Sequence, residues 1–378
     1  MSPKLPSLTS ELHAAEQFNW EYLHGKPKAA GTLKASAEDF KVEEILGFEL
    51  SREGEHHFLW VEKVDTNTAF VAEQLAKFSG IPLRDIGYAG RKDKFARTAQ
   101  YFSVYQGKHS APHWDAFSHP NISIIHHHRH NKKLRLGALQ GNRFSLKLRN
   151  LENFSIEEFH TRIKAIQENG VPNYYGQQRF GQMKTSSGEV FNGNLHLGFR
   201  LAAGEHIKNR NKRSMAISAL RSFLFNAAVS ARIKSNLHQT ILLDDALMLS
   251  GSNSYFLATK DEDFDQLRQR LLQRDILLTA PLTGDDTVKK LYAKLAKDKK
   301  CKPQSGNRAV DFEHQSLFEY MPILESLAKL GLKEERRSIL MYPSDLEWAV
   351  DSNTLSISFV LPSGSFATSV VRELLLCR

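Results

Sequence analysis

The chain has 378 residues, of which 41% are hydrophobic and 25% charged, a globular composition that excludes wholesale disorder and suggests about two domains. Its net charge of +9 favours a polyanionic partner, nucleic acid before an anionic membrane, although a basic surface without a partner remains an alternative. The two cysteines, Cys301 and Cys377, lack C-x-x-C spacing, which excludes a disulfide framework or a zinc ribbon and favours a reducing compartment.

The N-terminal half predicts strands alternating with helices. The segment EDFKVEEI (38–45) alternates Phe40 and Val42 with charged residues, which is typical of a strand. NTAFVAEQLAKFSG (67–80) has apolar side chains at helical spacing and a final glycine, which predicts a helix that ends at Gly80. LRLGALQGNRFSLKLRN (134–150) contains another alternating strand, so the pattern is α+β with mixed pairing.

A change of composition marks a boundary in the middle of the chain. The stretch VPNYYGQQRFGQMKTSSG (171–188) is rich in Pro, Gly, Asn and Ser, and long helical patterns follow it. The helix predicted after Asn209 begins among Lys208, Arg210, Lys212 and Arg213, where the helix dipole already favours anions. Strand patterns return only near the C-terminus. We therefore expect one domain from residues 1–172 and 338–378 and an inserted domain from residues 173–337.

A run of histidines, IIHHHRHNKK, suggests a metal site at first sight. However, neighbouring residues of a strand point to opposite faces, and no cysteine or acidic cluster stands beside His126, His127, His128 and His130. A basic arm that faces solvent or RNA explains the run better, so no metal is predicted. The N-terminus lacks the apolar segment of a signal peptide, and no apolar run approaches the ~18 residues that span a bilayer. A cytoplasmic protein without a membrane partner is expected.

The stretch GYAGRKDKFARTAQ (87–100) places one carboxylate, Asp93, between Lys92 and Lys94. The simplest interpretation is an acid that neutralises its neighbours in a loop. The alternative is an ionised nucleophile whose surrounding cations attract phosphates. A second acid, which glycoside hydrolysis requires, is missing. The loop begins with Gly87 and Gly90, which are expected to permit tight turns or turns with a positive φ.

The same stretch resembles the signature G-x-K-D-x-x-A-x-T-x-Q of the TruD family, the tRNA pseudouridine(13) synthases. Every specified position is filled, from Gly90 through Asp93 to Gln100. Further segments agree in order over nearly the whole chain: EDFKVEE, KLRLGALQGNRFSL, GVPNYYGQQRFG, RNKRSMAISALRSFLFN and LPSGSFATSVVREL. The resemblance implies a pseudouridine synthase catalytic domain with a mixed, largely antiparallel sheet, and an inserted α/β TRUD domain between its two segments.

The resemblance also implies an activity without metal or organic cofactor. Uridine 13 of tRNA is isomerised to pseudouridine, with the family's essential aspartate matching Asp93, which attacks either C6 of uracil or C1′ of ribose. The expected substrate-binding residues are Phe40, Asn142, Phe366, Lys34, Lys92 and Phe144. Lys34 is expected to pair with the catalytic carboxylate, and Lys92 to lie near the RNA backbone. From the residues alone, Phe144 and Phe366 would be core and Asn142 a turn residue. A catalytically silent tRNA-binding module is the alternative function.

Overall fold

The computed structural model describes residues 19–107, 112–184, 190–285 and 308–378. The chain forms two compact units, which we call the sheet unit (27–170 and 342–378) and the helix-rich unit (19–26 and 171–341). Residues 19–26 were expected in the domain formed by residues 1–172 and 338–378. Instead, Trp20 packs on Tyr174 and Phe223, with ring centroids 6.2 and 5.6 Å apart, and this aromatic contact holds the segment in the helix-rich unit.

The described chain contains runs of strands separated by helices. The strands are β1 (Ala30–Leu33), β2 (Phe40–Leu46), β3 (His56–Val64), β4 (Ile86–Tyr88), β5 (Arg97–Tyr105), β6 (Ile122–His130), β7 (Leu139–Glu152), β8 (Val171–Pro172), β9 (Gln182–Lys184), β10 (Val190–Asn192), β11 (Ala246–Leu249), β12 (Tyr255–Leu257), β13 (Ile276–Leu282), β14 (Glu335–Ser338), β15 (Leu340–Met341), β16 (Ser344–Asp351), β17 (Thr354–Pro362) and β18 (Leu376–Cys377). The helices are α1 (Thr68–Ser79), α2 (Ile156–Asn169), α3 (Gln177–Phe180), α4 (Gly193–Ala202), α5 (Arg210–Lys234), α6 (Phe264–Leu272), α7 (Ala309–Leu317), α8 (Met321–Ala328) and α9 (Ala367–Leu374).

The sheet unit is built on one 10-stranded mixed sheet with the central order β16-β17-β7-β2-β5-β3-β6. Neighbours along this path are antiparallel except β2 and β5, which pair in parallel. At the edges, β1 pairs with β7 and in parallel with β18, and β4 pairs with β5. The parallel pair places the start of β5, and therefore the loop that precedes it, beside β2.

Helix α1 covers one part of the sheet with an apolar stripe. Val71 and Leu75 are fully buried against strand residues that include Val61 and Phe102. Each such buried aliphatic side chain contributes about 1.5–3 kcal/mol to folding. The helix ends at Gly80, whose φ of 69° is the left-handed conformation that glycine adopts without strain.

The histidine run forms the edge strand β6 of the sheet, where His126 and His127 are exposed to solvent and His130 is buried. Strand β6 pairs with β3 along its length, with His126 opposite Trp60 and His130 opposite His56. The rings of His126 and Trp60 stack with centroids 6.1 Å apart, and His130 is buried against Phe58 at 4.8 Å. The strand forms because imidazole rings pack on aromatic neighbours while keeping a polar edge. Among the described residues, no group of three or more metal-binding side chains comes together.

Helix α5 forms the centre of the helix-rich unit, which also contains a four-stranded sheet of order β12-β11-β13-β14. Leu220, Leu224 and Phe225 are buried, and the helix packs on α4 and β13. Within the described chain, α5 is the one helix that is long and apolar enough to cross a membrane. No segment of this kind was expected from the sequence. Most of its apolar segment, 61%, is buried inside the protein, as in a core helix.

Candidate active site

Asp93 lies in the loop between β4 and β5 and forms an ion pair with Lys34. The Lys34 ammonium donates to Oδ2 of Asp93 at 2.9 Å, and the two side chains are 23% and 22% exposed. Lys34 directly follows β1 and has a φ of 62°, an uncommon conformation for a residue with a Cβ. Its ammonium also lies 3.8 Å from the centroid of the Phe40 ring. The carboxylate is thus paired, oriented and partly accessible from solvent.

Three hydrogen bonds from buried side chains fix the backbone of this loop. Gln100 donates to the carbonyl oxygen of Gly90 at 3.0 Å, and the Lys92 amide donates to the Thr68 hydroxyl at 3.0 Å. Thr68 in turn donates to Gln100 at 2.9 Å, which links the two anchors. Lys63 donates to the backbone carbonyl of Asp93 at 2.7 Å. Because each anchor is buried in the sheet or in α1, the position of Asp93 is set by the core.

Lys63 is an unusual anchor because it is only 1% exposed. Burial lowers the pKa of its ammonium to about 8, and the negative charge of Asp93 acts in the opposite direction. The lysine therefore changes protonation state in weakly alkaline solution, while its hydrogen bond to the loop needs only one N–H.

Lys92 points into the protein rather than toward RNA. Its ammonium donates to Oε2 of Glu44 at 2.7 Å, and the two side chains are 6% and 0% exposed. The other oxygen of Glu44 accepts from the Tyr101 amide at 3.3 Å. This burial corrects the expected contact of Lys92 with the RNA backbone, because a phosphate would have to compete with a pair already desolvated. Lys34 is therefore the closer partner of Asp93.

The remaining predicted residues lie along β2, β7 and the end of β17. Phe40 is 2% and Phe144 7% exposed, and their rings meet edge to face at 6.3 Å. Asn142 lies two positions from Phe144 on the same face of β7, opposite Glu44 of β2. Phe366 is half-buried at the N-cap of α9, four residues beyond the end of β17.

Asn142 carries an unsatisfied polar atom. The residue is 8% exposed, and its Oδ1 has no hydrogen-bond partner in the described parts of the chain. A buried acceptor without a donor costs about 1–3 kcal/mol, so such atoms are uncommon in a folded protein. The amide is thus available to a donor that enters the site.

The two glycines of the loop differ from expectation. Neither Gly87 nor Gly90 has a positive φ, so neither is required for a left-handed turn. Gly87 belongs to β4, where an added Cβ would overlap the carbonyl oxygen of Leu134 and approach Oγ of Ser103 to 2.7 Å. Gly90 leaves room for a methyl group, with Leu139 at 3.7 Å. Close packing rather than conformation therefore explains the glycine at position 87.

Glu44 and Lys63 were not recognised from the sequence, although the strand alternation contained a signal. Glu44 continues the buried face of Phe40 and Val42, and Lys63 continues that of Leu59 and Val61. A charged residue on the buried face of a strand requires a partner, and here both partners belong to the loop of Asp93.

Comparisons with known proteins identify the family of the chain. A family model described as tRNA pseudouridine synthase D (TruD) matches residues 19–193 and 202–374. The chain is 43% identical over 357 residues to the tRNA pseudouridine synthase D of Pseudoalteromonas atlantica, a match that covers 94% of this chain and 96% of that protein. The chain belongs to the TruD family. Its identity to the tRNA pseudouridine synthase D of Aeromonas hydrophila is 42% over 354 residues, covering 94% and 93% of the two chains.

A solved structure described as the putative TruD of Methanosarcina mazei has a similar fold. The TM-score is 0.68 with 21% sequence identity, and the match covers 94% of this chain and 95% of that one. At this identity the similarity concerns the fold alone. Together with the mixed sheet, it confirms the α+β fold that the TruD resemblance implied.

Proposed function

We propose that this TruD family member is a tRNA pseudouridine synthase, an isomerase that converts uridine 13 of tRNA into pseudouridine with Asp93 as the nucleophile. Family membership and the names of the relatives support the reaction class. The observation that carries the proposal is the Asp93 carboxylate itself. It is about one-fifth exposed, paired with Lys34 and held by a loop whose backbone is bound to the core.

The chemistry needs no external oxidant or reductant. The bond between N1 and C1′ breaks, a bond between C5 and C1′ forms, and the C5 proton is lost while N1 gains one. Attack of Asp93 on C6 of uracil and attack on C1′ of ribose are both compatible with this balance. Either route uses a carboxylate oxygen of Asp93 as the nucleophile, and the Lys34 ammonium at 2.9 Å orients this carboxylate.

Access to the target base requires that the uridine leave its stack in the tRNA, which costs a few kcal/mol. Stacking on an aromatic side chain returns about 1–3 kcal/mol per base. Phe366, which is half-buried, is better placed for this role than Phe40, which is 2% exposed and has Lys34 over its ring. In this assignment Phe40 supports the ammonium that pairs with Asp93.

Recognition of uracil or ribose is assigned to Asn142. Its buried Oδ1 lacks a donor within the described chain, and N3–H of uracil or a ribose hydroxyl would supply one. The Phe144 ring borders Phe40 and packs on Phe359 at 5.8 Å, so we assign it to the floor of the site.

The decisive variant is Asp93→Asn, which keeps the shape of the side chain and removes its charge. We expect it to bind tRNA as wild type does and to form no pseudouridine in a single-turnover assay. Asp115→Asn, at a side chain that is 99% exposed, is the matched control and should retain full activity. Pseudouridine formation by Asp93→Asn would contradict the nucleophile assignment.

The target position is tested with tRNA from a strain that lacks this protein. Pseudouridine mapped before and after addition of the enzyme should appear at position 13 alone. Modification elsewhere would refute the position while leaving the reaction intact. Binding of tRNA by the wild type with no modified base would establish the alternative, a silent binding module.

A further inference from the structure

A cavity of about 420 Å³ lies in the helix-rich unit, along one face of α5. This volume is within the range of about 300–1,000 Å³ found for ligand pockets. Its lining includes three arginines, Arg210, Arg213 and Arg221, and a single acid, Glu335. The cavity therefore carries an excess of positive charge.

The polar lining follows the helical repeat. Arg210, Ser214, Ser218 and Arg221 recur at intervals of three or four residues, which places their side chains on one face of α5, and Arg213 lies one turn after Arg210 beside them. At 1.5 Å per residue, the row from the first to the last arginine is about 16 Å long. A row of this length is too extended for one small anion and suits successive phosphates of a nucleic-acid strand.

The arginines of this row differ in their pairing. Arg221 is fixed at the inner end, where its Nη2 donates to the carbonyl oxygens of Leu282 at 2.9 Å and Lys333 at 3.0 Å. Arg221 also forms an ion pair with Oε2 of Glu335 at 3.4 Å. Arg210 and Arg213 are exposed, and within the described residues their guanidinium groups have no hydrogen-bond or ion-pair partner. Both lie in the first turn of α5, where the helix dipole adds to their positive potential.

We propose that this cavity binds the phosphodiester backbone of the RNA substrate, with Arg210 and Arg213 donating to phosphate oxygens and Ser214 adding its hydroxyl. The proposal rests on the function proposed above for its choice of RNA. Arginine and serine side chains are common donors to backbone phosphates, and the arginine fork matches two phosphate oxygens at once. Contacts of this kind contribute affinity and position the substrate without reading its sequence.

The test compares full-length variants in filter binding to an unmodified tRNA transcript at several salt concentrations. Arg210→Ala with Arg213→Ala should weaken binding by at least roughly tenfold and reduce the slope of log affinity against log salt by about 1–2. Arg213→Lys should recover part of the affinity, because it keeps the charge but not the fork. Lys212→Ala is the matched control: it removes one charge from the same exposed turn outside the cavity lining.

The double variant overturns the proposal if its affinity and salt slope equal those of Lys212→Ala. A second arm titrates inorganic phosphate by calorimetry. Loss of phosphate binding in the double variant with unchanged tRNA binding would show a site for a free anion and also refute the proposal. The experiment separates this proposal from the proposed function. If the wild type formed no pseudouridine, the proposed function would fail, but the expected differences in tRNA binding between the variants would still test the cavity.

Discussion

The buried pair of Lys92 and Glu44 can be tested by removing one partner at a time. If Lys92 anchors the loop of Asp93, Lys92→Met should destabilise the protein, because it leaves the Glu44 carboxylate buried without a counter-ion. If Lys92 instead faced RNA, the same substitution would leave stability unchanged and weaken tRNA binding. The double variant Lys92→Met with Glu44→Leu removes both charges and should regain most of the lost stability.

The expected magnitude follows from the geometry of the pair. Two unit charges 2.7 Å apart attract by about 6 kcal/mol at an effective dielectric constant of about 20. Desolvation of both groups offsets most of this gain, since the side chains are 6% and 0% exposed. Removing one charge leaves only the desolvation cost of the other. The free energy of unfolding should therefore fall by about 3–5 kcal/mol in Lys92→Met.

Urea unfolding followed by circular dichroism measures this effect, and filter binding to tRNA measures the alternative. A loss of this size corresponds to a midpoint that is lower by roughly 1–2 M urea. Single-turnover pseudouridine formation should fall together with stability, because the loop loses an anchor next to Asp93. An unfolding midpoint of Lys92→Met equal to that of the wild type would refute the anchoring role.

Three further predictions concern the same loop. Gly87→Ala should be strongly destabilised, because its Cβ would overlap the carbonyl oxygen of Leu134. Gly90→Ala should unfold like the wild type, because the site leaves room for a methyl group. Similar melting temperatures for the two variants would contradict the packing argument. Lys63 has a pKa of about 8 in the folded protein against 10.5 for the exposed group, so between these values the unfolded state binds more protons and folding stability rises with pH. Urea titrations from pH 7 to 10.5 should show this rise relative to Lys63→Met, and parallel curves would exclude it. Lys34→Met should lower the single-turnover rate at saturating tRNA by about fivefold to tenfold, since a partly exposed ion pair contributes about 1 kcal/mol, and an unchanged rate would argue against the pair with Asp93.

Elements with a strong local pattern were predictable from the sequence. The strand around Phe144 and the helix that ends at Gly80 both occur as expected, because alternation and a glycine stop are local signals. The pairing of Lys34 with Asp93 was expected from the TruD resemblance and is present. It could not follow from spacing, since the two residues are 59 positions apart.

The environment of the loop was not predictable, and the reason is topological. Lys92 meets Glu44, 48 positions away, only because β2 and β5 pair in parallel within an otherwise antiparallel neighbourhood. The burial of His130 was not predictable either, because imidazole has no clear preference for core or solvent and His130 is buried only through Phe58 of the adjacent strand. Properties that depend on long-range strand order do not leave a local pattern.

The short pairing of β8 with β15 has a consequence for how this chain is assembled. Val171 lies opposite Met341, and Pro172 opposite Leu340, so the first and last residues of a 171-residue stretch are adjacent in space. Opposed residues of an antiparallel pair are about 4.5–5.5 Å apart at Cα, a gap that a short turn can close. The chain can therefore be shortened here: joining Gly170 to Tyr342 through a few residues would yield a continuous sheet unit of ordinary domain size. An insertion or deletion at this point changes the length of the protein without changing the strand order of the large sheet.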